Sequence, residues 1–188
     1  MRIGENAGLA FTCVALLWGI YVVGLFLPFD LRTLGIHPRE VRGLYGLLFA
    51  PFLHNGIGHL LANSLALFVL LTISLTYSRK LTFVAVFITA LAGGAGIWLF
   101  GSFHTVHIGA SGIIFGLIGY LLAIGIFRWE LMAIVVSLVV FAYYGWTLSA
   151  LFVVLPGVSW SGHFFGFLSG VLAAWLTRED KRRTPSRG

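Results

Sequence analysis

Residues 81–127 read LTFVAVFITALAGGAGIWLFGSFHTVHIGASGIIFGLIGYLLAIGIF, 47 positions without one Lys, Arg, Asp or Glu. A bilayer span needs roughly 20 mainly apolar residues, so this run holds two spans. Gly101-Ser102-Phe103-His104 near its middle suits the turn between them. The same pattern repeats outward: residues 6–29, 43–78 and 131–177 are also free of charge, and Pro156-Gly157-Val158-Ser159 divides the last of these. The reading predicts an all-α, polytopic membrane protein of six transmembrane helices, at approximately 8–29, 57–78, 81–100, 111–127, 131–153 and 162–177.

Composition agrees with this. Hydrophobic residues make up 59% of the 188, charged residues only 10%, and mean hydropathy is +0.99; soluble domains are far more polar. The first apolar run is too long for a secretory h-region and lacks a small-x-small site before Asp30, so it is expected to remain as the first span. Cys13, the single cysteine, falls inside that span and is expected to serve packing.

A net charge of +6 raises the possibility of nucleic acid, but the distribution of Lys and Arg answers it. With the N-terminus inside, nine of the twelve are cytoplasmic, as the positive-inside rule requires. Arg32, Arg39 and Arg42 lie in the long outer loop at 30–46. Both termini are therefore expected in the cytoplasm, with a membrane domain over 1–177, a basic tail over 178–188 and no nucleic-acid partner.

In this topology the second, fourth and sixth helices enter from the outer face, and polar residues can be ranked by depth. Asn63 lies 16 residues before Arg79, Ser111 17 before Arg128 and His163 15 before Arg178. At about 1.5 Å of rise per residue, all three sit roughly 22–26 Å above the inner boundary. His59 is one turn above Asn63. Ionisable residues within a membrane usually face the bundle interior or a wet cavity.

Ser111 stands in Gly109-Ala110-Ser111-Gly112 at a helix start, where backbone N–H groups lack intrahelical partners and could hold an oxyanion. A serine there is also a common N-cap. Gly112, Gly116 and Gly119 on the fourth helix face Gly162, Gly166 and Gly170 on the sixth, so the two helices can approach closely and bring His163 toward Ser111. The competing reading has His163 bonded to a carbonyl and the glycines serving only packing.

Glu5, Glu130, Glu179 and Asp180 are expected on the inner side, which leaves only Asp30 and Glu40 outside. A Ser–His dyad is the economical arrangement, with Phe115, four residues after Ser111, stacking on the imidazole. His59 and Asn63 share a helix face and suit oxyanion donation; an interhelical hydrogen bond is the alternative. His54, His59, His104 and His107 lack the Cys or carboxylate partners usual at metal sites, so no metal is expected.

These residues resemble the rhomboid family of intramembrane serine proteases over about Gly35 to Thr177. His54-Asn55-Gly56-Ile57-Gly58-His59-Leu60-Leu61-Ala62-Asn63 is similar to its second-helix signature, Gly109-Ala110-Ser111-Gly112 to its nucleophile motif, and Gly162-His163-Phe164-Phe165-Gly166 to its base-bearing helix. The resemblance implies Ser111 as nucleophile, His163 as general base, and His59, Asn63 and the Ser111 N–H as oxyanion hole. It also implies water access from the outer face and a rim position for His54. A Tyr is common in the family where Phe115 stands, and the outer loop lacks the Trp–Arg pair of some bacterial members.

The expected activity is cofactor-free endopeptidase cleavage of transmembrane protein substrates within the lipid bilayer, and the short six-helix form suggests a bacterial plasma membrane. A non-catalytic rhomboid-like protein that binds membrane clients is the main alternative. A small transporter or channel is a third, weakened by the lack of an intramembrane carboxylate.

Overall fold

The computed structural model describes residues 2–152 and 159–178, and within them every regular element is helical. The α-helices are α1 (Ile3–Gly24), α2 (Gly46–Phe49), α3 (Ile57–Ile88), α4 (Gly94–Phe100), α5 (Ser111–Phe127), α6 (Leu131–Tyr144) and α7 (Trp160–Leu176). Among the described residues three helical stretches are long and apolar enough to cross a membrane: Ile3–Gly24, Ile57–Phe100 and Leu131–Leu151.

The 44 residues of Ile57–Phe100 are not one rod. Ser78 is extended (φ −164°, ψ 113°), and the hydroxyls of Ser74 and Thr82 meet at 2.8 Å. Eight residues of straight helix would separate them by about 12 Å, so the chain turns back at Ser78. Arg79 and Lys80, which belong in water, follow at once. Arg79 donates to Asn6 (2.6 Å) and Glu5 (2.9 Å), which fastens this turn to the start of α1. The second rod reaches α4 through a π-helical turn over Thr89–Gly93.

Helix α5 runs through the centre, with Leu117, Ile118, Tyr120, Leu121 and Ile124 wholly buried. Its closest neighbour is α7, and glycine is the reason. A methyl group added at Gly166 would overlap the carbonyl of Gly112, one at Gly170 that of Gly116, and one at Gly119 that of Phe167. Lipid offers apolar side chains as good a home as another helix does, so such backbone proximity, with the dispersion it collects, is what joins membrane helices.

The structure corrects several details. Helix α1 spans 3–24 rather than 8–29: Pro28 has no N–H and pushes Leu27 out of helical geometry, while the paired Glu5 is no bar to an earlier start. Helix α6 ends at Tyr144 and continues as a 3-10 turn over Gly145–Leu151, where Gly145, Thr147 and Ser149 are weak helix formers. Residues 153–158, with most of the turn expected at Pro156-Gly157-Val158-Ser159, lie outside the described residues, as does the tail from 179. Cys13 is exposed on α1, facing away from the bundle rather than packing within it.

The 30–46 loop is built from short helical turns, Leu31–Leu34 and Val41–Leu44. The Asp30 carboxylate caps the first by accepting from Arg32 N–H at 2.9 Å. The loop is tied to the end of α4: Trp98 Nε1 donates to Glu40 O (2.8 Å), and Arg39 donates to the carbonyls of Leu99 (2.7 Å) and Gly101 (2.8 Å). Ile36 and His107 exchange two backbone hydrogen bonds, a single antiparallel bridge that holds the 101–110 loop against this layer.

Candidate active site

Ser111 is the first residue of α5, and its cap, Ala110, offers no side-chain acceptor. The N–H groups of the opening turn therefore lack both an intrahelical partner and a capping side chain. Before it, Gly109 has φ +110°, and a Cβ there would lie 2.7 Å from His59 Cε1 and 2.8 Å from Nε2. Backbone conformation and imidazole together demand glycine. Gly109 N–H donates to Ala50 O at 2.8 Å, which anchors the approach to α5.

Two residues of α3 reach the same place, His59 half-buried and Asn63 buried. Asn63 Nδ2 lies 3.0 Å from His54 Nε2, and His54 Nδ1 lies 3.4 Å from Phe52 O. The carbonyl can only accept, so Nδ1 carries the hydrogen and Nε2 accepts from the Asn63 amide. Burial, reinforced by His59 nearby, pushes the His54 imidazole down to about 4, against a smaller opposing effect of the Phe52 carbonyl. The ring is neutral at physiological pH and suited to that acceptor role. One Asn63 N–H is thereby engaged, and the amide has its orientation set.

His163 occupies the first turn of α7, buried, with its ring stacked on Phe115: centroids are 4.1 Å apart and planes 15°. Its Nδ1 makes no hydrogen bond among the described residues. Asp30 and Glu40 are engaged elsewhere, with Arg32 at 2.7 Å and Arg42 at 2.5 Å. The hydrogen bonds from these arginines hold both carboxyls below the usual carboxylate range.

A cavity of about 620 Å³ brings these parts together, lined by Ser111, His163, His59, Asn63, His107 and Ser159 among others. Ser111 and His163 share its wall without a direct hydrogen bond; apo geometry at such sites is commonly looser than in the substrate complex. A Cβ at Gly112 would lie 3.6 Å from the Gly162 carbonyl, and His54, in contact with Asn63, does not line the cavity. Two features were missed by sequence reasoning. One is the π-turn at Thr89–Gly93, whose Thr89 fills the space over Gly116. The other is the contact of His107 with Ser159; the only hint was a serine placed to cap α7.

A hydroxyl, an imidazole and unpaired N–H donors around one cavity are the parts that acyl transfer uses. Fold and site together define an integral membrane protein whose glycine-packed helices enclose a polar cavity. The chain belongs to the rhomboid family, a family of intramembrane serine proteases: the Rhomboid domain model matches residues 41–180. It is 40% identical over 181 residues to an uncharacterized protein of Mycobacterium tuberculosis, covering 92% of this chain and 75% of that one. It is 30% identical over 156 residues to a Bacillus subtilis protein named as a candidate rhomboid protease (79% and 75% covered). It is also 31% identical over 147 residues to RHOMBOID-like protein 4 of Arabidopsis thaliana (73% and 36% covered).

Proposed function

We propose that this protein is an intramembrane serine endopeptidase that cleaves transmembrane segments of other membrane proteins near the outer face. The observation that carries this is the shared cavity of Ser111 and His163, the latter stacked on Phe115, on two helices in backbone contact. Ser111 Oγ attacks the peptide carbonyl carbon while His163 takes the hydroxyl proton. The tetrahedral oxyanion is held by the Ser111 N–H, Asn63 and His59. Collapse breaks the C–N bond, and His163 delivers its proton to the leaving amine. Water, deprotonated by the same imidazole, then attacks the resulting ester, and as the C–Oγ bond breaks His163 returns that proton to Ser111 Oγ. Gly109 and Gly112 keep the approach clear of side chains.

In this reading the chain crosses the membrane six times, since the Ile57–Phe100 hairpin counts twice and α5 and α7 once each beside α1 and α6. Residues 1–177 are the membrane domain, 178–188 a cytoplasmic tail, and both termini are cytoplasmic, in a bacterial plasma membrane. A peptide bond inside a regular helix is shielded from attack, so the substrate must unwind locally near the outer boundary.

Labelling with a fluorophosphonate probe in detergent tests the proposal. The wild type should be modified at Ser111, Ser111→Ala not at all. A folded wild type that takes no label would instead favour a client-binding protein without catalysis.

A further inference from the structure

His107 precedes Ser111 by four residues in the loop between α4 and α5, and its side chain lies between two hydroxyls. Thr105 Oγ1 is 2.9 Å from Nε2, and Ser159 Oγ is 2.7 Å from Nδ1. The Thr105 hydroxyl donates its one hydrogen to Ser102 O at 2.6 Å. Toward His107 it can therefore only accept, so Nε2 bears the ring hydrogen. Burial, with His37 adding to it, pushes the His107 imidazole below its ordinary value, which favours the neutral ring. A neutral ring protonated at Nε2 has a bare Nδ1, and Ser159 must donate into it.

Ser159 is also the N-cap of α7. Its Oγ accepts from Gly162 N–H at 3.1 Å, and its carbonyl accepts from His163 N–H at 3.1 Å. One directed chain thus runs from Gly162 N–H through Ser159 and His107 to Thr105 and Ser102, each hydroxyl donating onward as it accepts. Chains of this kind polarise and strengthen their members. His163 lies in the first turn of α7, where helices fray most readily. Its Nδ1 makes no hydrogen bond among the described residues, so ring stacking and the register of this first turn are what locate the imidazole.

We propose that His107 is a positioning residue which, by accepting from Ser159, locks the start of α7 and so sets His163 over Ser111. This rests on the reading of Ser111 and His163 as nucleophile and base. It assigns His107 no contact with the reacting atoms.

The test uses the full chain in detergent, with a cleavable transmembrane-segment substrate and fluorophosphonate labelling of Ser111. His107→Leu should lower kcat by about tenfold to a hundredfold, the scale on which a misplacement of about 1 Å acts, with KM within about twofold. Ser159→Ala, which removes the α7 cap as well, should lose at least as much, and the double variant should be no worse than Ser159→Ala alone, because His107 acts only through Ser159. His107→Asn, whose amide oxygen can stand in for Nδ1, and Ser159→Thr, which keeps the hydroxyl, should restore most of the lost turnover. If His107→Leu does not fold, Ser159→Ala against Ser159→Thr and His107→Asn against His107→Gln carry the same comparison. Effects that multiply in the double variant, or a loss expressed in KM, overturn the proposal. So does a labelled, active wild type with an unimpaired His107→Leu, which would leave the protease reading standing. A wild type that is neither labelled nor active overturns both.

Discussion

The Phe115 ring lies face to face with the His163 imidazole, 4.1 Å between centroids and 15° between planes. Phe115 is itself buried in the wall of α5, so this platform is as fixed as the helix core. With no carboxylate on Nδ1 among the described residues, stacking is the contact that fixes the plane of the ring. Aromatic pairs contribute roughly 0.5–1.5 kcal/mol beyond area burial. Phe115→Leu is accordingly expected to lower kcat by about three- to tenfold, and Phe115→Tyr to preserve it. Equal kcat in Leu and Phe forms at equal folded fraction would show that stacking has no catalytic role.

Ser111 and His163 act as a unit in the proposed mechanism. Each alanine variant should abolish cleavage while retaining the fold, and the double variant should be little worse than either single, as with other nucleophile–base pairs. Substantial proteolysis by purified Ser111→Ala would falsify the mechanism.

Oxyanion donation and helix packing make different demands on Asn63 and His59. Loss of one oxyanion donor costs about 100- to 1000-fold in turnover, roughly 2.7–4 kcal/mol, whereas interhelical hydrogen bonds in membranes average only about 0.6 kcal/mol. Asn63→Ala should therefore reduce turnover far more than thermal stability. His59→Ala should follow with a larger folding penalty, since the ring also packs against Gly109. Activity that merely tracks the folded fraction in both variants would make the pair scaffold.

His54 predicts a pH dependence of stability. Its folded value is held down to about 4 by burial first and His59 second, against about 6.5 for an unfolded histidine. Between these values the unfolded chain binds more protons, so stability is fully present above about 6.5 and is lost as pH falls toward 4. Thermal midpoints in detergent should drop more steeply from pH 7 to 4.5 for the wild type than for His54→Gln, whose amide keeps an acceptor for Asn63. Parallel curves would remove His54 as the cause.

The proposed topology is checked by reporter fusions. Fusions after Arg79, Arg128 and Arg187 should report cytoplasm, those near Phe103 and Ser159 the outside. Any fusion on the opposite side breaks the six-span arrangement.

Charge-free runs and glycine spacing, read from the sequence alone, determined the helical membrane class, the limits of α5 at Ser111 and Phe127, and the approach of α5 to α7. These are local or periodic properties: charge ends an apolar run, and glycines four apart line one side of a helix. Arg79-Lys80 likewise marked the turn that the structure places at Ser78. The tertiary structure alone decided how the 30–46 loop folds into helical turns and that a π-turn carries Thr89 over Gly116. It also decided the partners of the site's polar atoms: His54 holds Asn63, and His107 meets Ser159 across 52 residues of chain. A hydrogen bond between loops leaves no period in the sequence, because its geometry depends on where separate helices deliver each loop. Glycine-close packing supplies that placement in space.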